Sequence, residues 1–352
     1  MNWTYDALNK VKQACIPHKH WENARAEAFS SLIACSPGEV LCITGPSRAG
    51  KSRLILELER LMIGDKAHVP EGEMPIVKLL ATNCSVAGRF STKSFTLRGL
   101  EGVEHPFYGV QSDDGWDIHP FKRLERTPEG VLRSALEKSL RNRKTKYLFI
   151  DEAQHVQYTL GDGKGSAAVL DSWKCLAEAT GVVLVLVGAY PLLDVTRKCT
   201  HLLGRMQQVH LPRYQNTPED IASFIQILDA YSQVVKLPNR IKSLREWHQM
   251  LYEGSFGCIG LLDSWLRKAI ALADAKRAPC LTKEYLFATR RPYQDMAQIA
   301  FEIIEGEKAI QQGAERQDKN AEKLVKKCRK TGKRKGKPFQ KNPRRYVVGK
   351  KG

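Results

Sequence analysis

The chain has 352 residues, a formal net charge of +18 and 42% hydrophobic residues, enough to bury the core of one large domain or two modest ones. Its longest apolar run, Val182 to Val187, falls far short of the roughly 20 residues that span a bilayer, and the start, Met1-Asn2-Trp3-Thr4-Tyr5-Asp6, lacks the pattern of a secretory signal. The nine cysteines include no Cys-x-x-Cys and read as reduced cytosolic thiols that mostly fill core, not as a zinc site.

Residues 1–38 read as two short helices broken at Ile16-Pro17, the second running from His20 to Ala34 with Trp21, Ala24, Ala28 and Leu32 on one face. An apolar strand, Val40 to Ile43, then leads into Gly45-Pro46-Ser47-Arg48-Ala49-Gly50-Lys51-Ser52, and a helical segment follows from Arg53 to Met62. This is the phosphate-binding pattern Gly-x-x-x-x-Gly-Lys-Ser/Thr in its required strand–loop–helix setting. The glycines let successive N–H groups face one anion, and the positive helix start adds to them. Residues Gly45 to Arg53 are the candidate nucleotide-binding set. Lys51 is suited to the β- and γ-phosphates of ATP and Ser52 to Mg²⁺. For the preceding helix two readings stand: His20 or Trp21 touches the base, or the helix simply covers the sheet edge.

A second strand, Ile76 to Leu80, opens a polar excursion from Thr82 to Thr127. There Arg89, Lys93, Arg98, Lys122 and Arg123 are interleaved with hydroxyls and with Phe90, Phe95, Phe107, Tyr108 and Trp116. Such a mixture suits phosphate contacts on nucleic acid; a helix start with a solvated face explains it equally. After an amphipathic helix from Glu129 to Arg141 comes Leu148-Phe149-Ile150-Asp151-Glu152. Four apolar residues including Tyr147, ending in Asp-Glu about 100 residues after a P-loop, read as a Walker B strand. Asp151 is the candidate metal ligand and Glu152 the candidate general base for hydrolysis.

A glycine-rich loop, Leu160 to Ser166, and a helix to Thr180 precede the strand Val182 to Val187. Its end usually offers a polar side chain near the γ-phosphate, whereas this chain has Ala189 and Tyr190. The next helix closes with Leu202-Leu203-Gly204-Arg205-Met206 before a last strand, Gln207 to Leu211. Arg205 is either a finger that acts on a neighbouring subunit's nucleotide, stabilising charge on the γ-phosphate, or an ordinary exposed arginine. From Pro218 the pattern is all-helical: Ile221 to Ser232, Ser243 to Tyr252, Ile259 to Ala275, Lys283 to Arg290 and Asp295 to Gly313. Leu261 stands where many such lids carry an arginine, which leaves Arg267 as the lid's candidate contact. From Lys319 onward there are fifteen Lys/Arg against one acid, Glu322, leaving 41 basic and 37 acidic residues for the rest. That block cannot bury a core and is expected to be disordered, with nucleic acid or an acidic surface as its partner.

These elements predict an α/β fold: a P-loop AAA+ module with a five-stranded parallel sheet, a small helical lid and a disordered basic C-terminal tail. The strand order 5-1-4-3-2 is inferred from that class. The expected divisions are 1–38 (N-terminal helices), 39–214 (ATPase core), 215–314 (lid) and 315–352 (tail).

Within the class, Ile150-Asp151-Glu152-Ala153-Gln154-His155, Val185 to Val195 with Gly204-Arg205 after it, and Lys337-Pro338-Phe339-Gln340-Lys341-Asn342-Pro343-Arg344-Arg345 resemble the TniB/TnsC family of transposition ATPases over residues 20 to 350. The resemblance implies ATP-dependent rings or helical filaments of this chain around double-stranded DNA. It implies a link between a TniQ-like, sometimes CRISPR-guided, target selector and transposase subunits, with hydrolysis driving disassembly. It places Lys93 at a DNA-backbone contact, with Arg98 and Arg89 nearby, and locates the protein in the bacterial cytoplasm on the nucleoid, with no membrane partner. The tail is then either a DNA tether or a transposase-docking peptide anchored by Phe339 and Tyr346. Two other readings stand beside it: a helicase loader of the DnaC/IstB kind, for which 1–38 offers little docking surface, and an ATP-gated scaffold that scarcely hydrolyses.

Overall fold

The computed structural model describes residues 7–11, 16, 18–64, 68–83, 88–108, 126–159 and 164–331. In chain order these form α1 (Lys19–Ala34), β1 (Val40–Thr44), α2 (Lys51–Ile63), β2 (Ile76–Leu80), α3 (Thr92–Gly102), α4 (Glu129–Asn142) and β3 (Tyr147–Asp151). There follow α5 (Lys164–Thr180), β4 (Val183–Gly188), α6 (Pro191–Lys198), α7 (Thr200–Leu203), β5 (Met206–His210), α8 (Pro218–Ser232), α9 (His248–Ser255), α10 (Ile259–Ala275), α11 (Lys283–Ala288) and α12 (Tyr293–Thr331).

The five strands pair in parallel in the order β2-β3-β4-β1-β5, the expected order read from the opposite edge. Strand side chains alternate between faces, and here both faces are covered. Val40 and Cys42 of β1 join Leu148, Ile150, Leu184 and Leu186 in one core, under α3, α4 and α5. Leu41 and Ile43 join Phe149, Val183, Val185 and Val187 in the other, under α1 and α2. This is why the strands read as unbroken apolar runs, as buried parallel strands do. Cys42 is part of that packing, and burial pushes its thiol up to about 12, as the core-filler reading expects.

The lid has its own core, in which Tyr214, Phe224, Leu228, Trp247, Leu251, Trp265 and Leu266 pack together with Ala7 and Val11 from the N-terminal segment. Trp265 is buried, and its indole N–H donates to the Leu286 carbonyl at 2.9 Å, fastening α11 to α10.

Three elements depart from expectation. The helix expected to end at Arg205 is split into α6 and α7 at Cys199, whose backbone is not helical, while the Thr196 hydroxyl bonds back to Leu193 O, a local competition with the helix ladder. The segment Ser243 to Tyr252 starts as a 3₁₀ turn, Leu244–Trp247, because the Ser243 hydroxyl takes the Arg245 N–H. The last helix continues past Gly313 to Thr331, through residues that are mostly good helix formers with no glycine or proline between Ala314 and Thr331.

The chain divides into two compact units, Met1–Gly306 and Glu307–Gly352. The first holds the sheet and the lid core. In the second, the helix runs to Thr331, and the tail residues Lys337 to Arg345, with Phe339 and Tyr346, lie outside the described residues. Among the described residues, no helix is long and apolar enough to cross a membrane.

Replacing Trp265 with Phe keeps a ring but removes the indole donor, leaving the Leu286 carbonyl only the longer bonds from the Thr289 N–H and hydroxyl, both 3.3 Å. A loss of about 0.5–1.5 kcal/mol is expected, the net worth of one hydrogen bond whose acceptor keeps other donors, measured by denaturant unfolding of the full chain; a change below a few tenths would show that the hydrogen bond contributes little.

Candidate nucleotide site

The loop 45–50 leaves β1 and turns into α2 with Gly50 as the N-cap, and no side chain caps the first N–H groups. These donors are therefore open to an anion, with the helix dipole behind them. Ser47, Arg48, Ser52 and Arg53 are exposed, whereas Pro46, Ala49 and Lys51 are buried. The Lys51 ammonium donates to Gly45 O at 3.1 Å and Pro46 O at 2.8 Å. Burial pushes its pKa down, and the carboxylates of Glu152, Asp151 and Glu302 oppose that. A buried cation facing open helix N–H groups is a fit for polyphosphate.

β3 brings the second half of the site. The Ser52 hydroxyl donates to Asp151 Oδ2 at 2.9 Å, across 99 residues of chain, and Asp151 Oδ1 accepts the Glu152 N–H at 2.8 Å. Glu152 itself stands in the left-handed region, with φ 55°, a strained conformation of the kind that clusters at functional sites. Its carboxylate accepts a hydrogen bond from the Gln154 side chain. Past the end of β4, Ala189 offers no polar side chain and Tyr190 is turned away: its hydroxyl meets His210 Nε2 at 3.0 Å. The Tyr190 ring fills the space that a Cβ at Gly306 of α12 would need.

A cavity of about 220 Å³ lies beside the loop, lined among others by His18, Trp21, Ala49, Arg53, Tyr231 and Asp263. It is a natural place for a base, walled by the N-terminal segment, α2 and the lid. Of the two residues named from the sequence, Trp21 lines it. His20 does not: it faces Asp220 at 3.0 Å, and its ring meets that of Tyr214 at a tilt, 4.5 Å between centroids. His18, which no sequence signal distinguished, takes its place and accepts or donates at Tyr214 OH across 3.0 Å.

The lid reaches the loop without an arginine. Leu261 is buried in the lid, and Arg267 is engaged by Asp263 at 2.7 Å. Instead the Gly260 N–H donates to Arg48 O at 3.0 Å, and a Cβ at Gly260 would stand 2.2 Å from that oxygen. Backbone thus meets backbone where a side chain was expected. The glycine pair Gly257/Gly260 at the start of α10 was the available signal.

Arg205 sits at the start of β5. Its neighbour Met206 pairs with Val40, at the end of β1 farthest from the loop, so about five residues of strand, roughly 17 Å, separate it from the loop. Its guanidinium is 57% exposed and meets Glu178 at 2.6 Å. On the α3 side, Arg89 is exposed and Lys93 half-buried, and Arg98 donates to the Thr82 carbonyl at 3.2 Å, which ties it to the chain leaving β2. Phe90 and Phe95 are not surface rings but pack on Trp173, Phe95 at 4.7 Å. Lys122, Arg123 and Trp116 lie outside the described residues.

Residues 36–195 match the family model for the AAA domain. The chain carries an AAA-type P-loop ATPase domain. Among solved structures it is similar in fold to the ORC2 protein of Aeropyrum pernix in its ADP form, with a TM-score of 0.50 and 16% identity over 76% of this chain and 67% of that one. A Walker-type ATPase of Pyrococcus abyssi gives 0.48 and 13% over 83% and 75%, and Drosophila ORC bound to DNA gives 0.45 and 14% over 82% and 65%. No curated protein matches the sequence.

Around the AAA site two histidines are held neutral. Burial pushes His18 and His210 down to about 4, and the nearby His20 pushes both in the same direction. An unfolded histidine titrates near 6.5, so below that pH the unfolded chain takes up protons that these two refuse. Their contribution to stability is present above pH 6.5 and is lost as pH falls toward 4. The melting temperature is expected to drop over that window, and His210→Gln should flatten part of the slope; an unchanged slope would show that His210 does not titrate on unfolding in this range.

Proposed function

We propose that this AAA ATPase assembles with ATP on double-stranded DNA and couples a target-selecting protein to transposase subunits, hydrolysis then releasing the assembly. The position of Arg205 carries the reading. It is exposed, at the sheet edge remote from its own Lys51, so a catalytic arginine there acts on the nucleotide of a neighbour, and the active unit is an oligomer. The fifteen basic residues from Lys319 onward, with Arg89, Lys93 and Arg98 around α3, favour DNA as the surface on which it forms. Contacts of this kind address phosphates and are salt-sensitive. The motif resemblance over residues 150–155, 185–195, 204–205 and 337–345 supports transposition as the process, with a TniQ-like selector and transposase as partners and the bacterial nucleoid as the place.

In this reading the P-loop from Gly45 to Arg53 cradles the nucleotide phosphates. Lys51 turns from its two carbonyl acceptors to phosphate oxygens. Ser52 and Asp151, already in contact, hold Mg²⁺; a site with two protein oxygens suits a cation that keeps waters and phosphate ligands. ATP is the source of the phosphoryl group passed to water, and Mg²⁺ held there would offset the negative charge of the phosphates. Glu152 takes a proton from the attacking water, and the partner protomer's arginine stabilises the charge that develops.

Arg205→Ala is expected to lose most ATPase activity, at least tenfold, without loss of nucleotide binding, and Glu152→Gln likewise. Mixed together, the two inactive variants should regain activity, because an Arg205→Ala protomer keeps its own Glu152 and borrows its neighbour's arginine. No recovery on mixing would sink the trans assignment. Electron microscopy on duplex DNA should show ordered rings or filaments with ATP and none with ADP; assemblies indifferent to nucleotide would argue against the switch.

A further inference from the structure

Gln154 joins two parts of the site that have no covalent reason to communicate. It lies two residues past Glu152, on the 3₁₀ turn Ala153–Tyr158, and is 8% exposed. Its amide nitrogen donates to Glu152 Oε2. Its amide oxygen accepts the backbone N–H of Ala189, just past β4, at 3.1 Å. An amide has one donor end and one acceptor end, so these partners fix its orientation: turned over, the oxygen would face a carboxylate and the NH₂ would face an N–H. The surroundings are fitted to this arrangement. A Cβ at position 188 would come within 2.5 Å of the amide oxygen, so Gly188 leaves the room that the bridge needs.

We propose that Gln154 is a positioning residue for ATP hydrolysis: its amide ties the Glu152 carboxylate to the backbone beyond β4 and so performs, from the β3 side, the connection that Ala189 has no side chain to make. The inference rests on Glu152 acting as general base. A carboxylate on a rotatable stem must present a lone pair to the water it deprotonates, and misplacement by about 1 Å can cost on the order of a hundredfold. With one oxygen held by Gln154, the other is left for the water proton. The bridge also connects the base to the strand end that leads, through Tyr190, to His210 and to Gly306 of α12, so a shift of any of these reaches Glu152 through one side chain.

Two substitutions separate the halves of the bridge. Gln154→Glu keeps an acceptor for the Ala189 N–H but sets a carboxylate against Glu152; Gly188→Ala keeps the glutamine and crowds its oxygen. Both are expected to lower kcat at least tenfold, with KM for ATP and the affinity for ADP within twofold of wild type. In the nucleotide-free protein, hydrogen exchange should show the Ala189 amide still protected in Gln154→Glu and exposed in Gly188→Ala. On a Glu152→Gln background, Gln154→Glu should cause no further loss, because the group it positions is already gone. A Gln154→Glu protein that folds, protects Ala189 and turns over within twofold of wild type overturns the proposal, as does a full additional loss in the double variant. A Glu152→Gln protein that hydrolyses at the wild-type rate fails differently: it removes the general base itself and locates the fault in that assignment, not in the bridge.

Discussion

The burial of one ammonium group organises this molecule. Taking a lysine charge out of water costs several kcal/mol unless partners meet it, and Lys51 is met by two backbone carbonyls of its own loop and by the fields of three carboxylates. The carbonyls are available only because the chain curls between Gly45 and Gly50. Asp151 and Glu152 reach the site because β3 lies one strand beyond β4 from β1, and Glu302 because α12 returns to the sheet's loop edge. Loop, sheet and last helix therefore each bring a group toward the same charge, and a ligand that brings phosphate oxygens would compete with the two loop carbonyls for it.

A second convergence fixes the lid. The chain leaving β5 passes Tyr214, whose N–H donates to Gly257 O at 3.0 Å and whose carbonyl accepts Tyr252 OH at 3.1 Å. Three residues further along α10's entry, the Gly260 N–H holds Arg48 of the P-loop. His18 and His20 approach the same tyrosine from the N-terminal side. Hinge, lid and N-terminal segment thus meet around one buried ring, next to the cavity suited to a base. The lid is held through the backbone of Arg48 in the P-loop and lines the adjoining cavity, so a ligand with different affinity for the two lid positions would have the contacts needed to act as a switch.

Glu152 shows how tertiary structure refines a motif. Its identity as an acid after four apolar residues is a matter of sequence. Its left-handed backbone, its hold by Gln154 and the link to Ala189 arise because the 3₁₀ turn after β3 folds against the end of β4. The absence of a polar side chain at 189, read alone, looks like a missing part; in the folded chain the Gln154 amide, from the turn after β3, takes the Ala189 N–H and so ties that position to Glu152.

By itself the sequence determined what local chemistry dictates. The P-loop's spacing, the apolar strands and the helical periods marked the individual strands and helices, the candidate nucleotide loop and the Asp-Glu pair, because each is encoded within a dozen or so contiguous residues, whereas the order of the strands came from the class they pointed to. Helix ends were less legible: hydroxyls at Thr196 and Ser243 divert backbone groups, a competition that periodicity does not register. The tertiary structure alone decided the contacts between distant segments. Trp21 and His18, not His20, border the cavity beside the P-loop, and His20 meets Asp220 instead. Arg267 is engaged by Asp263, Arg98 by Thr82, and the lid meets the loop through the backbone of Gly260. Such choices depend on which partner lies nearest in space once the sheet has formed, and no spacing along the chain records that distance.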